Sequence, residues 1–370
     1  MSEVDIINIA NSNPAGRFDP YEVITMDSTR NLVYEVADLS DVLTSLRRIP
    51  DWPSEEIQIL VADMIKDLSI YTPPRKWLNF FYKKILEDIE FNGHSLHDSL
   101  AEIIIKFKAD TRRYDLGTSY VNYILENGSK YPVTCGILVS HNDMGLRVWS
   151  AGLYMCEYLL DNLNDLTGMK IVELGSGVGN TGLILAASKV PFQSFTFSDF
   201  SDDVLINIRN NITLNQSRHS MYNCTLVVQK LDWSLVANRP ISELPESDVI
   251  IAADCCYSKE LCDHLLEAIC TLLTKKSMIP NFTHPSCQQS NGTIDHGCDC
   301  VCASHSSYAL IACTVRNEET YSYLVTRLDT HPTLIYANFT EVASTSRRRF
   351  YYSDRDRIQL LRVSLRPPSG

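Results

Sequence analysis

Apolar positions recur at helical spacing from Pro53 onward. Ser54 is placed to cap a helix whose inner face carries Ile57, Leu60, Ile65 and Leu68. Glu55 and Glu56 fall in its first turn, where carboxylates meet unsatisfied N–H groups. Pro73-Pro74 opens a second helix, with Trp77, Phe80, Phe81, Ile85 and Ile89 along one stripe and Gly93 as its stop. A third carries Leu96, Leu100, Ile103, Ile104 and Phe107. The pattern predicts a small helical lobe over residues 1–115 whose aromatics serve packing. Residues 1–50 show no clear period, only short apolar runs broken by turn formers.

The texture then changes. Ser119 to Leu125 alternates like a strand, Glu126-Asn127-Gly128-Ser129 is a turn signal, and a second β-like run reaches Ser140, which predicts a hairpin over about 118–140. An apolar helix, Leu153 to Leu163, follows Trp149. From Met169 strands and helices alternate: strands at 169–174, 195–199, 226–232, 248–254 and 308–314, with helices at 181–188, 202–211, 259–273 and 318–328. Continuous apolar strands between helices predict a mostly parallel sheet covered on both faces, within a second domain over 116–370. Thr333 to Ala337 and Ile358 to Leu365 suit a closing pair of strands. The polar stretch 277–307 interrupts the rhythm as an insertion looped out of the sheet.

The length of 370 residues fits two domains, or one with an added lobe. A net charge of -12 disfavours unspecific binding to nucleic acid or anionic membrane. No segment approaches the ~20 apolar residues of a membrane span, and the acidic start Met1-Ser2-Glu3-Val4-Asp5 lacks the order of a secretory signal. The twelve cysteines then read as reduced thiols, and a cytoplasmic protein is expected.

Glu173-Leu174-Gly175-Ser176-Gly177-Val178-Gly179 follows the first strand of the alternation. Glycines there let the backbone approach a ligand without a Cβ in the way, and in such sheets ligands bind beyond the carboxyl ends of the strands. The turn alone is ambiguous, because Gly177 to Gly182 also fits the dinucleotide fingerprint GxGxxG. Three neighbours favour S-adenosyl-L-methionine. Glu173 would repel a pyrophosphate but suits a cationic amino acid group. Asp199, ending the second strand, can accept from both ribose hydroxyls. Asp232-Trp233, ending the third, offers a carboxylate to the adenine amino group and an indole face for stacking.

The fourth strand ends in Ala253-Asp254-Cys255-Cys256-Tyr257. An Asp-x-x-Tyr there, an acid-Trp pair after the third strand and a Trp-bearing helix before the glycine turn resemble the lysine-targeting branch of the class I, seven-stranded methyltransferases. The resemblance is most specific to the protein-lysine methyltransferases of eukaryotic elongation factor 2. It rests on Arg147 to Tyr154, Val172 to Gly177, Phe197-Ser198-Asp199, Leu231-Asp232-Trp233, Val249 to Asp254 and Thr314-Val315-Arg316-Asn317, and less sharply on Pro74 to Phe107. It implies a Rossmann-like α/β sheet beside the helical lobe, cofactor contacts at Trp149, Gly175 to Gly177, Trp233 and Ala253, and substrate lysine at Asp254 and Tyr257. The sequence departs from the family in Cys255 and Cys256, where bulkier aliphatics are usual, and in the long insertion.

A free lysine, with a pKa near 10.4, must lose its proton before it can attack a methyl group. Desolvation and the sulfonium charge both favour that loss. Asp254 could then orient the amine and Tyr257 narrow its channel; alternatively Asp254 is a helix N-cap, and the two roles can coexist. Asn-Pro-Pro-Tyr, found at this position in many enzymes that methylate amide or base nitrogens, is absent, so no nucleic-acid substrate is expected. The expected catalyst is a monomer acting on a protein; another protein, RNA or a small molecule is the alternative substrate, and a catalytically silent binding module the alternative class.

Two features stand apart. His284, Cys287, His296, Cys298, Cys300, Cys302 and His305 hold zinc-ligand chemistry without paired CxxC spacing, so a reduced loop without metal is the favoured reading. Arg347, Arg348, Arg349, Arg355, Arg357, Arg362 and Arg366 make the C-terminal region basic. They read as a solvated surface, or as a contact for an acidic protein face or ribosomal RNA.

Overall fold

The computed structural model describes residues 25–68, 72–110, 118–125, 133–140, 143–216, 224–277 and 307–367. The Cys/His candidates between His284 and His305 and the hairpin turn lie outside them. Five helices come first: α1 Met26–Tyr34, α2 Leu39–Arg47, α3 Glu55–Asp67, α4 Arg75–Phe91 and α5 Asp98–Ala109. Ser54 caps α3 as expected, its hydroxyl accepting from Ile57 N–H at 3.5 Å. Thr25 does the same for α1, with Ser28 N–H at 3.3 Å. Val33, Leu46, Val61, Met64, Phe81, Ile85 and Leu100 close a separate core between these helices.

Two residues of the expected stripes face outward: Leu60 is 46% exposed and Phe80 45%. Their inward places go to Val61, Ala62 and Met64 on α3 and to Leu78 and Tyr82 on α4. Gln58 is buried among them because all its polar atoms are matched. It donates to Pro53 O at 2.9 Å and Ser95 O at 3.0 Å, and accepts from His97 N–H at 2.8 Å.

After the antiparallel hairpin of β1 Thr118–Leu125 and β2 Val133–Ser140 come α6 Ser150–Asp161, β3 Lys170–Leu174, α7 Asn180–Ala187, β4 Ser194–Asp199, α8 Asp202–Gln216 and β5 Thr225–Lys230. Then follow β6 Val249–Ala253, α9 Lys259–Ser277, β7 Tyr308–Thr314, α10 Glu318–Asp329, β8 Leu334–Asn338, α11 Thr340–Ser344 and β9 Ile358–Leu365. The seven-stranded sheet runs β5-β4-β3-β6-β7-β9-β8, parallel through β7, with β9 antiparallel to both β7 and β8. The expected closing pair is β8 and β9.

Strand residues feed two cores in alternation. Ile171, Val249, Ile251, Leu310 and Ala312 face one layer of helices, while Val172, Leu174, Ile250, Ala252, Ala309 and Ile311 face the other. This is why the strands read as continuous apolar runs. Winding leaves β3 in opposite directions, toward β4 and β5 on one side and β6 and β7 on the other. The switch point therefore lies between β3 and β6, where a crevice opens at the strands' carboxyl ends.

The hairpin is fastened by an asparagine ladder on one face of α8. Asn215 accepts from Gly136 N–H at 2.9 Å and donates to Gly136 O at 2.8 Å. Asn211 accepts from Leu138 N–H at 2.7 Å and donates to Val178 O at 3.0 Å, which ties the hairpin edge to the glycine turn. Unpaired strand-edge groups are thereby satisfied.

Of the seven C-terminal arginines, Arg349, Arg355, Arg362 and Arg366 are engaged within the chain, and Arg347, Arg348 and Arg357 are exposed as the solvated-surface reading expects. Arg349 pairs with Asp161 at 2.6 Å, Arg355 with Glu157, and Arg366 donates to His331 O and Leu334 O, both at 3.2 Å. Arg362 stacks 4.0 Å from the Tyr308 ring centroid. Among the described residues no helix is long and apolar enough to cross a membrane.

Candidate active site

The turn after β3 lies at the switch point. Gly175, Gly177 and Gly179 have φ of +71°, +52° and +77°, a region costly for residues with a Cβ. At Gly175 a Cβ would also stand 2.9 Å from Cys255 Sγ and 3.2 Å from the Trp233 ring. Space as well as dihedral thus requires glycine. Gly182 has a different function: a Cβ there would fall 2.4 Å from the rings of Phe195 and Phe197, so it lets α7 lie on β4. Ser176 faces β4, its hydroxyl accepting from Ser198 N–H at 2.9 Å.

Glu173 is 3% exposed, and its Oε2 has no hydrogen-bond partner. Burial pushes this carboxyl up to about 8, partly offset by the Thr181 and Ser176 hydroxyls, with Asp199 raising it further. Among the described residues Asp199 accepts from backbone, from Ser201 N–H at 3.1 Å and Gly177 N–H at 3.3 Å. Burial is also the main cause that raises its pKa. Asp232 begins a 3-10 turn, accepting from Ser234 N–H at 3.0 Å, and sends Trp233 back over Gly175.

Ala253 ends β6, and Asp254 follows in the left-handed region with φ +54°. This kink turns its carboxylate onto the end of β7. Oδ1 accepts from Thr314 N–H at 2.8 Å, and Oδ2 from the Thr314 hydroxyl at 3.0 Å and Arg316 at 3.1 Å. Asp254 does not cap the next helix; Ser258 does, accepting from Leu261 N–H at 3.2 Å. Tyr257 is 68% exposed at the rim. Trp149 precedes α6, donates from Nε1 to Met144 O at 3.1 Å, and carries the Arg316 guanidinium 5.0 Å from its ring centroid.

A recess of about 100 Å³ opens among Asp254, Cys256, Tyr257, Thr314, Arg316 and Tyr321. A larger one, about 590 Å³, lies on the helical lobe around Arg47, Trp52 and Asp88. The smaller is the candidate site, because it lies at the carboxyl ends of β6 and β7 and is lined by Asp254 and Tyr257. Arg316 and Thr314 have no role assigned by the sequence pattern; the signal for them is a cation just past one strand end facing an acid just past its neighbour.

These residues fit S-adenosyl-L-methionine. An unpartnered buried carboxylate oxygen at Glu173 complements its ammonium, and Asp199 has lone pairs for ribose hydroxyls. In the free protein Glu173 is largely protonated below its raised value. Binding a cationic ammonium requires the carboxylate and expels that proton. Cofactor affinity is therefore expected to strengthen as pH rises from about 6 to 8, then level off as the α-amino group itself titrates. Glu173→Gln should flatten that dependence and weaken binding at pH 8 by ~30-fold or more, the size of a lost charged hydrogen bond. Calorimetric titration across this range checks it; pH-independent binding by the unmutated protein would remove Glu173 from the site.

A model of the lysine methyltransferase family matches residues 139–290, which hold the glycine turn and the ends of β3 to β6. Protein-lysine N-methyltransferase EEF2KMT of Mus musculus is 30% identical over 200 residues, 51% of this chain and 57% of that protein. The Homo sapiens protein of the same name is 30% identical over 172 residues, 45% of this chain and 49% of its own length. The chain thus spans about half the length of these curated relatives. An O-methyltransferase from Bacillus cereus solved with SAH aligns at 11% identity and a TM-score of 0.34, over 60% of this chain and 83% of that one. The strand order fits an α/β methyltransferase sheet and the acids at the crevice fit S-adenosyl-L-methionine as cofactor, and the stretch 139–290 is similar to the lysine methyltransferase family.

Proposed function

We propose that the chain is a protein-lysine N-methyltransferase and that its substrate is eukaryotic elongation factor 2, methylated in the cytoplasm by a monomeric enzyme. The observation that carries the reading is the Asp254 carboxylate, buried just past the carboxyl end of β6 and opening with Tyr257 onto the recess. The elongation factor rests on the matching stretches between residues 147 and 317 and on the likeness to the mouse and human proteins named EEF2KMT.

The bound cofactor supplies an electrophilic methyl on a cationic sulfur. The chain's residues hold the acceptor in line with it. Glu173 takes the ammonium of the cofactor's amino acid portion, Asp199 the ribose, and Asp232 with Trp233 the adenine. Trp149, Gly175, Gly177 and Ala253 wall the crevice by shape. Asp254 orients the incoming amine, and Tyr257 narrows its approach. Asp254 is not a strong base, since a carboxylate's ordinary pKa lies far below that of lysine.

Incubation with isotope-labelled cofactor and a cell lysate, with and without nuclease, and in parallel with purified elongation factor 2, tests the reading. One labelled band at the mass of the factor, localised to lysine by mass spectrometry, is the expected result. Nuclease-sensitive label would mean an RNA substrate, and absence of label a binding module; either overturns it.

A further inference from the structure

Resting on that reading, we propose that Arg316 is a positioning residue that neutralises Asp254, so that the substrate amine meets a balanced ion pair rather than a bare buried carboxylate.

The geometry is specific. The Asp254 side chain is 4% exposed, whereas Arg316 is 46% exposed. Arg316 reaches Oδ2 at 3.1 Å while its guanidinium stacks on Trp149 at 5.0 Å. One side chain therefore links the end of β6, the segment after β7 and the Trp149 side of the crevice. Stacking and a directed hydrogen bond together fix the plane of a guanidinium, which an ammonium in the same place would not match. Among the described residues Arg316 is the one cation within ion-pair distance of Asp254. The other titratable groups around that carboxylate are Cys255, Cys256, Cys313, Tyr257 and Tyr321. Thiols and phenols are ordinarily uncharged at neutral pH, so they leave its charge uncompensated.

The chemistry gives this pairing a purpose. Methyl transfer needs a neutral amine, and an unpaired carboxylate close to a lysine favours its charged form by one to three pKa units, about tenfold in neutral amine for each. With Arg316 on Oδ2 the aspartate keeps a lone pair for orienting the amine while its field is largely cancelled. Orientation and proton loss, which oppose each other at a lone carboxylate, become compatible.

The test uses two ligands of the intact protein: S-adenosylhomocysteine, and sinefungin, an S-adenosylmethionine analogue with an amine where the methyl stands. Calorimetric Kd values at pH 7 give the ratio of the two affinities for the unmutated protein, Arg316→Gln and Arg316→Lys. The ratio is expected to move toward sinefungin by ~10-fold or more in Arg316→Gln, because its ammonium then faces an uncompensated Asp254. Arg316→Lys should stay within about threefold of the unmutated ratio. An unchanged ratio in Arg316→Gln overturns the proposal. With lysine substrate, the rising limb of kcat against pH should shift upward by about one unit or more in Arg316→Gln, with a smaller change in KM; an unshifted limb also overturns it. Failure to label any lysine, with the ligand ratio still shifted, would overturn the proposed function while leaving Arg316's electrostatic effect on Asp254 in place.

Discussion

Asp254→Asn is expected to slow methyl transfer by about 100-fold, with cofactor affinity within a few-fold of the unmutated enzyme, because the reacting amine loses its orienting acceptor. Asparagine is the informative replacement. Asp254 sits at φ +54°, where asparagine is tolerated and alanine costs ~1 kcal/mol. Its Oδ1 also accepts from Thr314 N–H, a bond that an amide oxygen can keep and alanine cannot. Asp254→Ala therefore combines two effects, lost chemistry and a loosened end of β7, worth ~3 kcal/mol of stability in all. Asp254→Asn largely separates them: it keeps the Thr314 N–H bond and loses only the acceptor for the half-exposed Arg316, so its unfolding midpoint should fall by less than that of Asp254→Ala while single-turnover rates collapse. An asparagine variant with rates close to the unmutated enzyme would take Asp254 out of the chemistry and leave it as the anchor of β7.

The role proposed for Asp254 and its anchoring of β7 show how far a one-dimensional reading reaches. Acids at successive strand ends are legible because strand period and length are legible, and the switch point then gathers Glu173, Asp199 and Asp254 at one edge. What an acid touches is decided by residues far away in sequence. Thr314 and Arg316 lie about sixty positions from Asp254 and meet it only because β7 pairs with β6. The N-terminal helices were obscured for another reason. α1 and α2 span nine residues each, too short for a period to stand out from the turn formers around Asp38. In α3 and α4 residue type alone pointed Leu60 and Phe80 inward, but tertiary packing chose the neighbouring face and admitted Gln58.

Glu157 on α6 carries the second large effect, on stability rather than catalysis. Its side chain is fully buried, and Oε1 accepts from Arg349 N–H at 2.6 Å and Phe350 N–H at 3.0 Å. Oε2 accepts from the Tyr352 hydroxyl at 2.5 Å and is paired with Arg355. The intervening Tyr351 reaches the helical lobe instead, donating from its backbone to Glu35 at 2.6 Å and from its hydroxyl to Asp41 at 2.6 Å. The segment from Arg349 to Arg355 is thus a strap between lobe and sheet domain, and Glu157 is its fixed point. Removing this carboxylate strands a largely buried arginine and two backbone donors, so Glu157→Ala should cost ~3–5 kcal/mol. At about 2 °C per kcal/mol the unfolding midpoint falls by ~6–10 °C. The double variant Glu157→Leu with Arg355→Met, which removes both charges, should be more stable than Glu157→Ala, because contacting residues do not contribute additively. Thermal unfolding of both variants, with limited proteolysis of the lobe, measures this; a Glu157→Ala protein within 1 °C of the unmutated one would show that the strap is held elsewhere.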